Sequence, residues 1–210
     1  MEFRAACTLP LGKGEARPPH IRKDRKGWAG YFCRMEKLSM DQLNRKTVDE
    51  VRVAAKAPVV MVLENVRSAY NVGSAFRTAD AFLIEGLWLC GYTAFPPHKE
   101  ISKTALGAEE SVTWKHFKKT ADAIAQLKAE GYKVYAVEQT TTAVMLNELE
   151  AMGEKIAVVF GNEVTGVEQE TILACDGCVE IPQWGTKHSL NVAVAAGVVL
   201  WELVRGRKLN

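Results

Sequence analysis

Five short, almost wholly apolar runs recur along the chain after residue 57. They are Val59–Leu63, Leu87–Gly91, Lys133–Glu138, Lys155–Gly161 and Cys178–Pro182. Runs that do not alternate with polar residues are typical of strands buried on both faces, as in a parallel sheet. Helical patterns separate them, in Asn71–Phe82, Thr120–Gly131 and Val167–Cys175, and Gly131 is expected just past the end of its helix. The alternation predicts an α/β fold, a parallel sheet flanked by helices.

Helical patterns also stand before the first run and after the last. Ser39–Lys56 predicts a helix capped by Ser39 or Asp41. Its sparse apolar stripe consists of Leu43, Val48 and Val51. The final helix follows Asn191, and the residues expected in its core face are Val192, Val194, Val198, Leu200 and Trp201. The chain therefore divides into a segment 1–40 and a domain 41–210, the latter with a helix at 41–56 and a core at 58–206.

Length and composition suit one globular domain with an appended segment. The 210 residues are 48% hydrophobic and 25% charged, which is ordinary for a soluble protein. No apolar stretch reaches the roughly 18 residues of a membrane span, and charge and proline interrupt the first ten residues, unlike a signal peptide. Five scattered cysteines do not form a secreted disulfide framework. We expect a cytoplasmic protein with no membrane partner.

The basic charge is concentrated near the start of the chain. Residues 1–50 contain 11 Lys/Arg against 7 Asp/Glu, whereas the remainder contains 16 against 18. The excess lies in Lys13–Lys26, which also carries Pro18 and Pro19. Such a segment is either a solvated tail or a flexible arm that contacts phosphates without reading sequence. In the second case the phosphate contacts would come from Arg22, Lys23 and Arg25.

Glycine- and asparagine-rich segments follow three of the predicted strands. They are Glu64–Arg77, Gly161–Glu168 and Gln183–Asn191. Because ligands of parallel α/β sheets bind beyond the carboxyl ends of the strands, the three segments are expected to form one site. The last of them precedes the apolar final helix with more polar residues than a helix cap requires, which favours a functional role.

Several familiar chemistries are disfavoured. The sequence has no G-x-G-x-x-G after the first strand, no phosphate-binding G-x-x-x-x-G-K-[ST] and no G-x-S-x-G elbow. The four histidines lack metal-ligand spacing, and Cys175 and Cys178 form a lone C-x-x-C without a second pair. We therefore expect no metal and a structural role for these cysteines.

Three motifs, in order, resemble those of the TrmH (SpoU) branch of the SPOUT RNA methyltransferases. They are NVGSAFRTAD (71–80), VFGNEVTGV (159–167) and IPQWGTKHSLNVAVAAG (181–197). The resemblance covers about residues 58–206, and GYKVYAVEQT (131–140) is similar to variants that methylate the ribose 2′-oxygen of tRNA guanosine.

The resemblance implies a SPOUT α/β fold with a deep C-terminal trefoil knot, a homodimer to which one face of the final helix contributes, and S-adenosylmethionine (SAM) as cofactor. The cofactor would be bound by the loops 161–167 and 181–191 and by a loop after Val137. The residues expected to bind it are Glu138, Gly161, Asn162, Ile181, Gln183, Ser189, Leu190 and Asn191.

The same motifs imply the catalytic residues Arg77, Asn71, Glu163, Ser189 and Asn191. Arg77 would assist deprotonation of the 2′-hydroxyl and hold the adjacent phosphate, although an arginine is not expected to lose its own proton. A fixed cation that lowers the pKa of the hydroxyl is the safer role, with the proton leaving through phosphate or water. Asn71 would orient Arg77 and can also serve as a helix N-cap.

Other roles follow from the same motifs. Glu163 would bind or orient Arg77 or the substrate from the dimer-related side. Gly73 would permit close approach of backbone or substrate. Ser189 would offer its hydroxyl to a phosphate at a helix start. Lys187 and Arg77 are expected to contact RNA, and His188 either does so or has no role.

The substrate is expected to be a guanosine in tRNA, because residues 1–40 are too short and polar for the compact N-terminal RNA-binding domain of related rRNA enzymes. A 23S rRNA 2′-O-methyltransferase is the alternative. A non-catalytic RNA-binding protein of the same fold, which would fail to bind SAM, is a further one.

Overall fold

The computed structural model describes residues 37–39, 41–149 and 154–206, and it divides the chain into two units, residues 1–44 and 45–210. In the first unit, Asp41–Leu43 forms one 3-10 turn, and the Ser39 amide donates to Oε1 of Gln42 at 2.8 Å. The basic residues Arg22, Lys23 and Arg25 lie outside the described residues.

The continuous helix predicted for 41–56 is wrong in extent. Helix α1 comprises only Val48–Val53, and Asn44, after the 3-10 turn, has a left-handed φ of 45° that a helix cannot continue through. Thr47, rather than Ser39 or Asp41, is the N-cap. Its side chain accepts from the Glu50 amide while the Glu50 carboxylate accepts from the Thr47 amide, a capping box.

The core of the second unit is a seven-stranded sheet in which every strand pair is parallel. Its strands are β1 (Ala57–Glu64), β2 (Ile84–Cys90), β3 (Trp114–Phe117), β4 (Lys133–Val137), β5 (Val144–Met145), β6 (Ile156–Phe160) and β7 (Gly177–Glu180). They lie in the order β3-β2-β1-β6-β4-β7-β5. All five predicted strands are present. The two outermost strands, β3 and β5, were not predicted from the sequence.

Helices connect the strands and cover both faces of the sheet. They are α2 (Ala69–Ala81), α3 (Lys99–Ala105), α4 (Ala108–Ser111), α5 (Thr120–Ala129), α6 (Gln169–Ala174) and α7 (Val192–Val204). Gly131, just beyond α5, has a φ of 84°, which confirms its predicted place past the helix end. Helices α3 and α4 were not predicted.

Alternate residues of β1 face two separate apolar clusters. Val59, Met61 and Leu63 pack with α2, α3 and α7, including Phe76 and Leu200. Val60 and Val62 pack on the other face, against Ile124 and Leu127 of α5. Burial on both faces explains the unbroken apolar runs and confirms the α/β class. The strand order does not define how the chain threads, so the knot stays a prediction.

The loops that follow β1, β6 and β7 lie at one edge of the sheet, as predicted, because the strands are parallel; β1 and β6 are neighbours, and β4 lies between β6 and β7. Within the described ranges, no helix has both the length and the apolar character required to cross a bilayer.

Candidate functional site

The loops after β4, β6 and β7, together with the start of α7, line a pocket of about 650 Å³ at the carboxyl edge of the sheet, and the loop after β1 lies outside this lining. A volume of this size accommodates a nucleoside-sized ligand. The predicted residues that line it are Glu138, Gly161, Asn162, Glu163, Ile181, Gln183, His188, Ser189, Leu190 and Asn191. The structure thus brings together every predicted cofactor residue.

The loop after β6 is a tight hairpin that allows no side chain at its first position. The backbones of Asn162 and Gly166 exchange two hydrogen bonds of 2.9 Å. A Cβ at Gly161 would stand 2.1 Å from the carbonyl carbon of Gly166. Oδ1 of Asn162 accepts from the amides of Val164 and Thr165, at 2.8 and 3.2 Å. Gly161 and Asn162 therefore fix the shape of this wall of the pocket.

Glu138 joins the end of β4 to this hairpin. Its carboxylate accepts from the amide of Gln139 at 2.9 Å and from that of Val167 at 3.0 Å. A Cβ at Gly166 would lie 2.2 Å from Oε2 of Glu138, and Gly166 has a left-handed φ of 71°, so this close approach requires glycine. Glu138 lines the pocket chiefly as a structural clamp.

Glu163 receives three hydrogen bonds from the start of α2. Its carboxylate accepts from the amides of Arg67 and Ser68 at 2.9 and 3.1 Å, and from Nδ2 of Asn71 at 3.0 Å. Burial by itself would raise the pKa of Glu163, but the hydrogen bonds outweigh it and lower the pKa. A carboxylate at a helix N-terminus is also stabilised by the helix dipole.

Asn71 bridges Glu163 and Asn191. Nδ2 of Asn191 donates to Oδ1 of Asn71 at 3.3 Å, and Oδ1 of Asn191 accepts from the Ala193 amide, which makes Asn191 the N-cap of α7. The interpretation of Asn71 as an N-cap is wrong: Ser68 is the N-cap of α2, and Asn71 donates its amide to Ser68. The first turns of α2 and α7 therefore meet beside the pocket.

Arg77 is not part of this cluster within one chain. It lies on the exposed surface of α2, and its side chain forms no hydrogen bond or ion pair with any residue that the structure describes. The expectation that Asn71 or Glu163 orients Arg77 is therefore not met inside the single chain, since both side chains are engaged by each other and by Asn191.

Gly73 has a packing role. It is buried in α2, and a Cβ there would stand 2.1 Å from Oγ1 of Thr104 and 2.4 Å from the Ile101 carbonyl. The close approach is therefore to α3 and not to a substrate.

The segment before α7 offers unpaired polar groups to the pocket. Neither Ser189 nor the backbones of Gln183 and Leu190 form a hydrogen bond with any described residue. Lys187 and His188 are exposed, and the His188 carbonyl accepts from Nε2 of Gln139 at 3.1 Å. Free amides and a hydroxyl at the start of a helix can bind an anion or the polar edge of a base.

Several residues of the site were missed. Gln139 lines the pocket, and Asn65, directly after β1, accepts from the Tyr92 amide and donates to Glu168. Beneath the site, the buried carboxyl group of Glu64 accepts from the Glu168 amide and from the Thr171 hydroxyl. A buried glutamate at the end of an apolar strand was a signal that the sequence did offer.

The C-x-x-C cysteines are free thiols in the described chain. Burial raises the pKa of Cys175 to about 12, so that the thiolate needed for metal binding or redox chemistry is scarce near neutral pH.

Most of the chain is similar to proteins of one known family. The model of the SpoU rRNA Methylase family matches residues 58–201. A 23S rRNA (guanosine-2′-O-)-methyltransferase, RlmB of Vibrio cholerae, is 31% identical over 170 residues, which are 80% of this chain and 68% of that protein. The tRNA (guanosine(18)-2′-O)-methyltransferase of Thermus thermophilus is 31% identical over 166 residues, 79% of this chain and 84% of that protein.

A solved structure shares the fold. The crystal structure of an AdoMet-bound rRNA methyltransferase from Sinorhizobium meliloti matches with a TM-score of 0.67 at 28% identity. The match covers 76% of this chain but 59% of the Sinorhizobium chain, so this chain spans less than two thirds of that protein.

Proposed function

Because the chain belongs to the SpoU rRNA methylase family, we propose that it transfers the methyl group of SAM to a ribose 2′-hydroxyl of RNA, at a guanosine. The observation that carries the proposal is the pocket beside the Asn71–Glu163–Asn191 cluster, where all three matched motifs converge. The relatives named as guanosine 2′-O-methyltransferases support the reaction type.

The pocket fits SAM in size and in chemistry. Its apolar residues, such as Leu190 and Val192, suit an adenine ring, and the free backbones of Gln183 and Leu190 suit the polar edges of adenosine. The residues that would hold it are Glu138, Gly161, Asn162, Ile181, Gln183, Ser189, Leu190 and Asn191. When bound, SAM supplies an electrophilic methyl group on a sulfonium. We expect no metal to take part.

The residues of this chain then have two tasks, to place the ribose and to assist loss of its proton. Asn71 and Asn191 fix the two helix starts that border the reacting position, and Ser189 offers a hydroxyl to phosphate. Arg77 stays protonated and acts as a cation that lowers the pKa of the 2′-hydroxyl and holds phosphate. The proton leaves through phosphate or water.

A second copy of the chain completes the site. Among the described residues of one chain, no side-chain hydrogen bond or ion pair joins Arg77 to the Asn71–Glu163–Asn191 cluster, and α7 carries an exposed apolar stripe. Of the five residues expected in its core face, only Val192 and Leu200 are buried. Val194, Val198 and Trp201 are 54%, 40% and 57% exposed, at spacings of four and three that place them on one helix face. A patch of this kind is typical of a homodimer interface.

Bulk tRNA is the first substrate to test, and 23S rRNA is the second, since relatives of both kinds match. An enzyme that methylates either of these RNAs would act in the cytoplasm. Purified protein should transfer label from methyl-tritiated SAM to one of the two RNAs, and mapping of 2′-O-methyl sites should identify a guanosine. Binding of SAM by calorimetry without transfer to any RNA would contradict the enzymatic function. Absence of SAM binding would favour the non-catalytic RNA-binding alternative.

A further inference from the structure

Exposed aromatic side chains are concentrated at the edge of the sheet that carries the pocket. Among the described residues, the exposed aromatic side chains are Tyr70, Tyr92, Phe95, Trp184 and Trp201. All except Trp201 lie in loops or a helix start that leave the carboxyl ends of strands. Single exposed aromatic residues need no explanation, but four at one edge of one sheet call for one.

Tyr92 differs from the others because its ring is both exposed and held in place. Tyr92 is 63% exposed, yet Nδ2 of Asn162 donates a hydrogen bond to its hydroxyl at 2.7 Å. The Tyr92 amide donates to Oδ1 of Asn65 at 3.2 Å, and the neighbouring Thr93 is buried with its hydroxyl bonded to the Leu63 carbonyl. The hydroxyl and the backbone of Tyr92 are therefore held in place although the residue is largely exposed.

The anchor of the ring belongs to the pocket. Asn162 lines the pocket and directly precedes Glu163, whose carboxylate holds Asn71. Tyr92 is thus separated from the Asn71–Glu163–Asn191 cluster by one residue of the hairpin. An aromatic ring fixed beside a reacting ribose is placed to meet a base of the same RNA strand.

The surroundings of this edge suit a polyanion. Lys103 stands 6.0 Å from the ring centre of Tyr70, the exposed residue just before Asn71. The ring of Phe95 lies 4.3 Å from that of His116. Arg67, just before α2, and Lys99, the first residue of α3, are also exposed at this edge. Aromatic faces interspersed with cations are the usual surface for single-stranded RNA, where bases stack and phosphates pair with lysine and arginine.

We propose that the ring of Tyr92 is a stacking platform for an unpaired base of the RNA substrate, at or next to the methylated nucleotide. The inference rests on the proposed function and adds a substrate-positioning residue to it. It also defines the substrate as RNA whose target region is unpaired, since a base within a duplex has no free face for Tyr92.

The test compares three substitutions at one position. Tyr92→Ala removes the ring, Tyr92→Leu keeps an apolar side chain without an aromatic face, and Tyr92→Phe keeps the ring and loses the hydroxyl. If stacking is the role, Ala and Leu should each raise KM and the dissociation constant for tRNA about tenfold to 100-fold, the usual effect of losing one stacked base. Phe should stay within about threefold of the wild type. Leu173→Ala, at an exposed residue of α6, is the control.

A purely structural role gives a different pattern. If Tyr92 only braces Asn162, Phe would be as defective as Ala, and SAM affinity measured by calorimetry would fall in both. Unchanged RNA affinity in Tyr92→Ala would overturn the proposal, and so would a shift of Tyr92→Ala from dimer to monomer in light scattering, because the ring would then contact a second copy.

The binding measurement separates this inference from the function. RNA affinity is measured by fluorescence anisotropy with labelled tRNA and does not depend on methyl transfer. A wild-type protein that binds tRNA without methylating any RNA would refute the proposed function. The three Tyr92 variants would still show whether Tyr92 contacts the RNA. A wild-type protein that binds no RNA would refute both.

Discussion

The side-chain amide of Asn191 donates a hydrogen bond to Oδ1 of Asn71, 120 residues earlier in the chain. The contact joins the N-cap of α7 to the first turn of α2, and through Asn71 it reaches Glu163. Three motifs that are remote in sequence are therefore linked by side-chain hydrogen bonds at one point.

This relationship predicts coupling between Asn71 and Asn191. Asn191→Ala should lower the free energy of unfolding by about 1 kcal/mol, because it removes an N-cap as well as the bond to Asn71. In a double-mutant cycle with Asn71→Ala, measured by urea denaturation, we expect a coupling of about 0.5–1 kcal/mol. Asn191→Ser, which keeps a capping oxygen but cannot donate an amide, should lose the coupling and retain most of the cap. Additive effects of the two alanine substitutions would contradict the predicted link.

Glu163 predicts a dependence of stability on pH. Its pKa in the folded protein lies below the ordinary value of 4.5. The stabilisation that ionised Glu163 gives the fold is therefore fully present above its pKa in the unfolded chain, and it is lost as the pH falls through its pKa in the folded protein. Wild type should therefore be more stable than Glu163→Gln at pH 7, and the difference should begin to shrink as the pH falls below 4.5, because Glu163 of the unfolded chain takes up its proton first. Urea denaturation of both proteins at pH 7 and at pH 3.5 measures the difference. An equal difference at both values would show that the charge of Glu163 contributes nothing.

The sequence predicted those parts of the fold that depend on continuous burial. β1 and β6 are enclosed on both faces, and their apolar runs identified them as strands. The residues after these runs then indicated the edge of the sheet at which the site lies. β3, with residues Trp114–Phe117 all half-buried, lies at the border of the sheet and lacks such a run. The helix predicted across Asn44 failed because a left-handed backbone there leaves no periodic trace in the sequence.

The site was predicted as a set of residues but not as a set of contacts. Motif resemblance brought Asn71, Glu163 and Asn191 together, yet it paired the first two with Arg77. The structure pairs them with each other and with the Arg67 and Ser68 amides. Backbone amides are invisible in a residue pattern, and so is the anchoring of Tyr92, whose partner Asn162 lies 70 residues away.

Gly73 is predicted to be intolerant of any side chain. Gly73→Ala would place a Cβ 2.4 Å from the Ile101 carbonyl, a backbone atom that moves only if α3 shifts away from α2. We expect a loss of about 1–3 kcal/mol in the free energy of unfolding, as for other overpacked interiors. Gly197→Ala in α7 is the matched control, since its Cβ meets nothing within 4 Å and alanine is the better helix former by about 1 kcal/mol. Urea denaturation of both variants is the measurement, and a Gly73→Ala protein as stable as Gly197→Ala would contradict the close packing.

Thr171 is predicted to stabilise the buried end of β1. Its hydroxyl donates to the carboxyl group of Glu64, which is 1% exposed and whose other donor is the Glu168 amide. Thr171→Val keeps the shape but removes that donor, and it should cost about 1–3 kcal/mol of stability because a buried polar group loses a partner. Thr171→Ser keeps the hydroxyl and should cost less than half as much. Thermal and urea unfolding distinguish the two, and a loss in Thr171→Val no larger than that in Thr171→Ser would contradict the role of the hydroxyl.

Arg77 is predicted to serve the reaction and not the fold. It is exposed and has no partner among the described residues of one chain, so Arg77→Ala should change the free energy of unfolding by less than about 0.5 kcal/mol. SAM affinity, measured by calorimetry, should stay within about twofold, because Arg77 does not line the pocket. Methyl transfer to RNA should nevertheless be abolished, since the substitution removes the cation proposed to lower the pKa of the 2′-hydroxyl. Arg77→Lys keeps the charge but loses the planar fork that binds phosphate, and we expect it to recover only a small part of the activity. A wild-type rate in Arg77→Ala would remove Arg77 from the mechanism and leave the pocket and the Asn71–Glu163–Asn191 cluster to act without it.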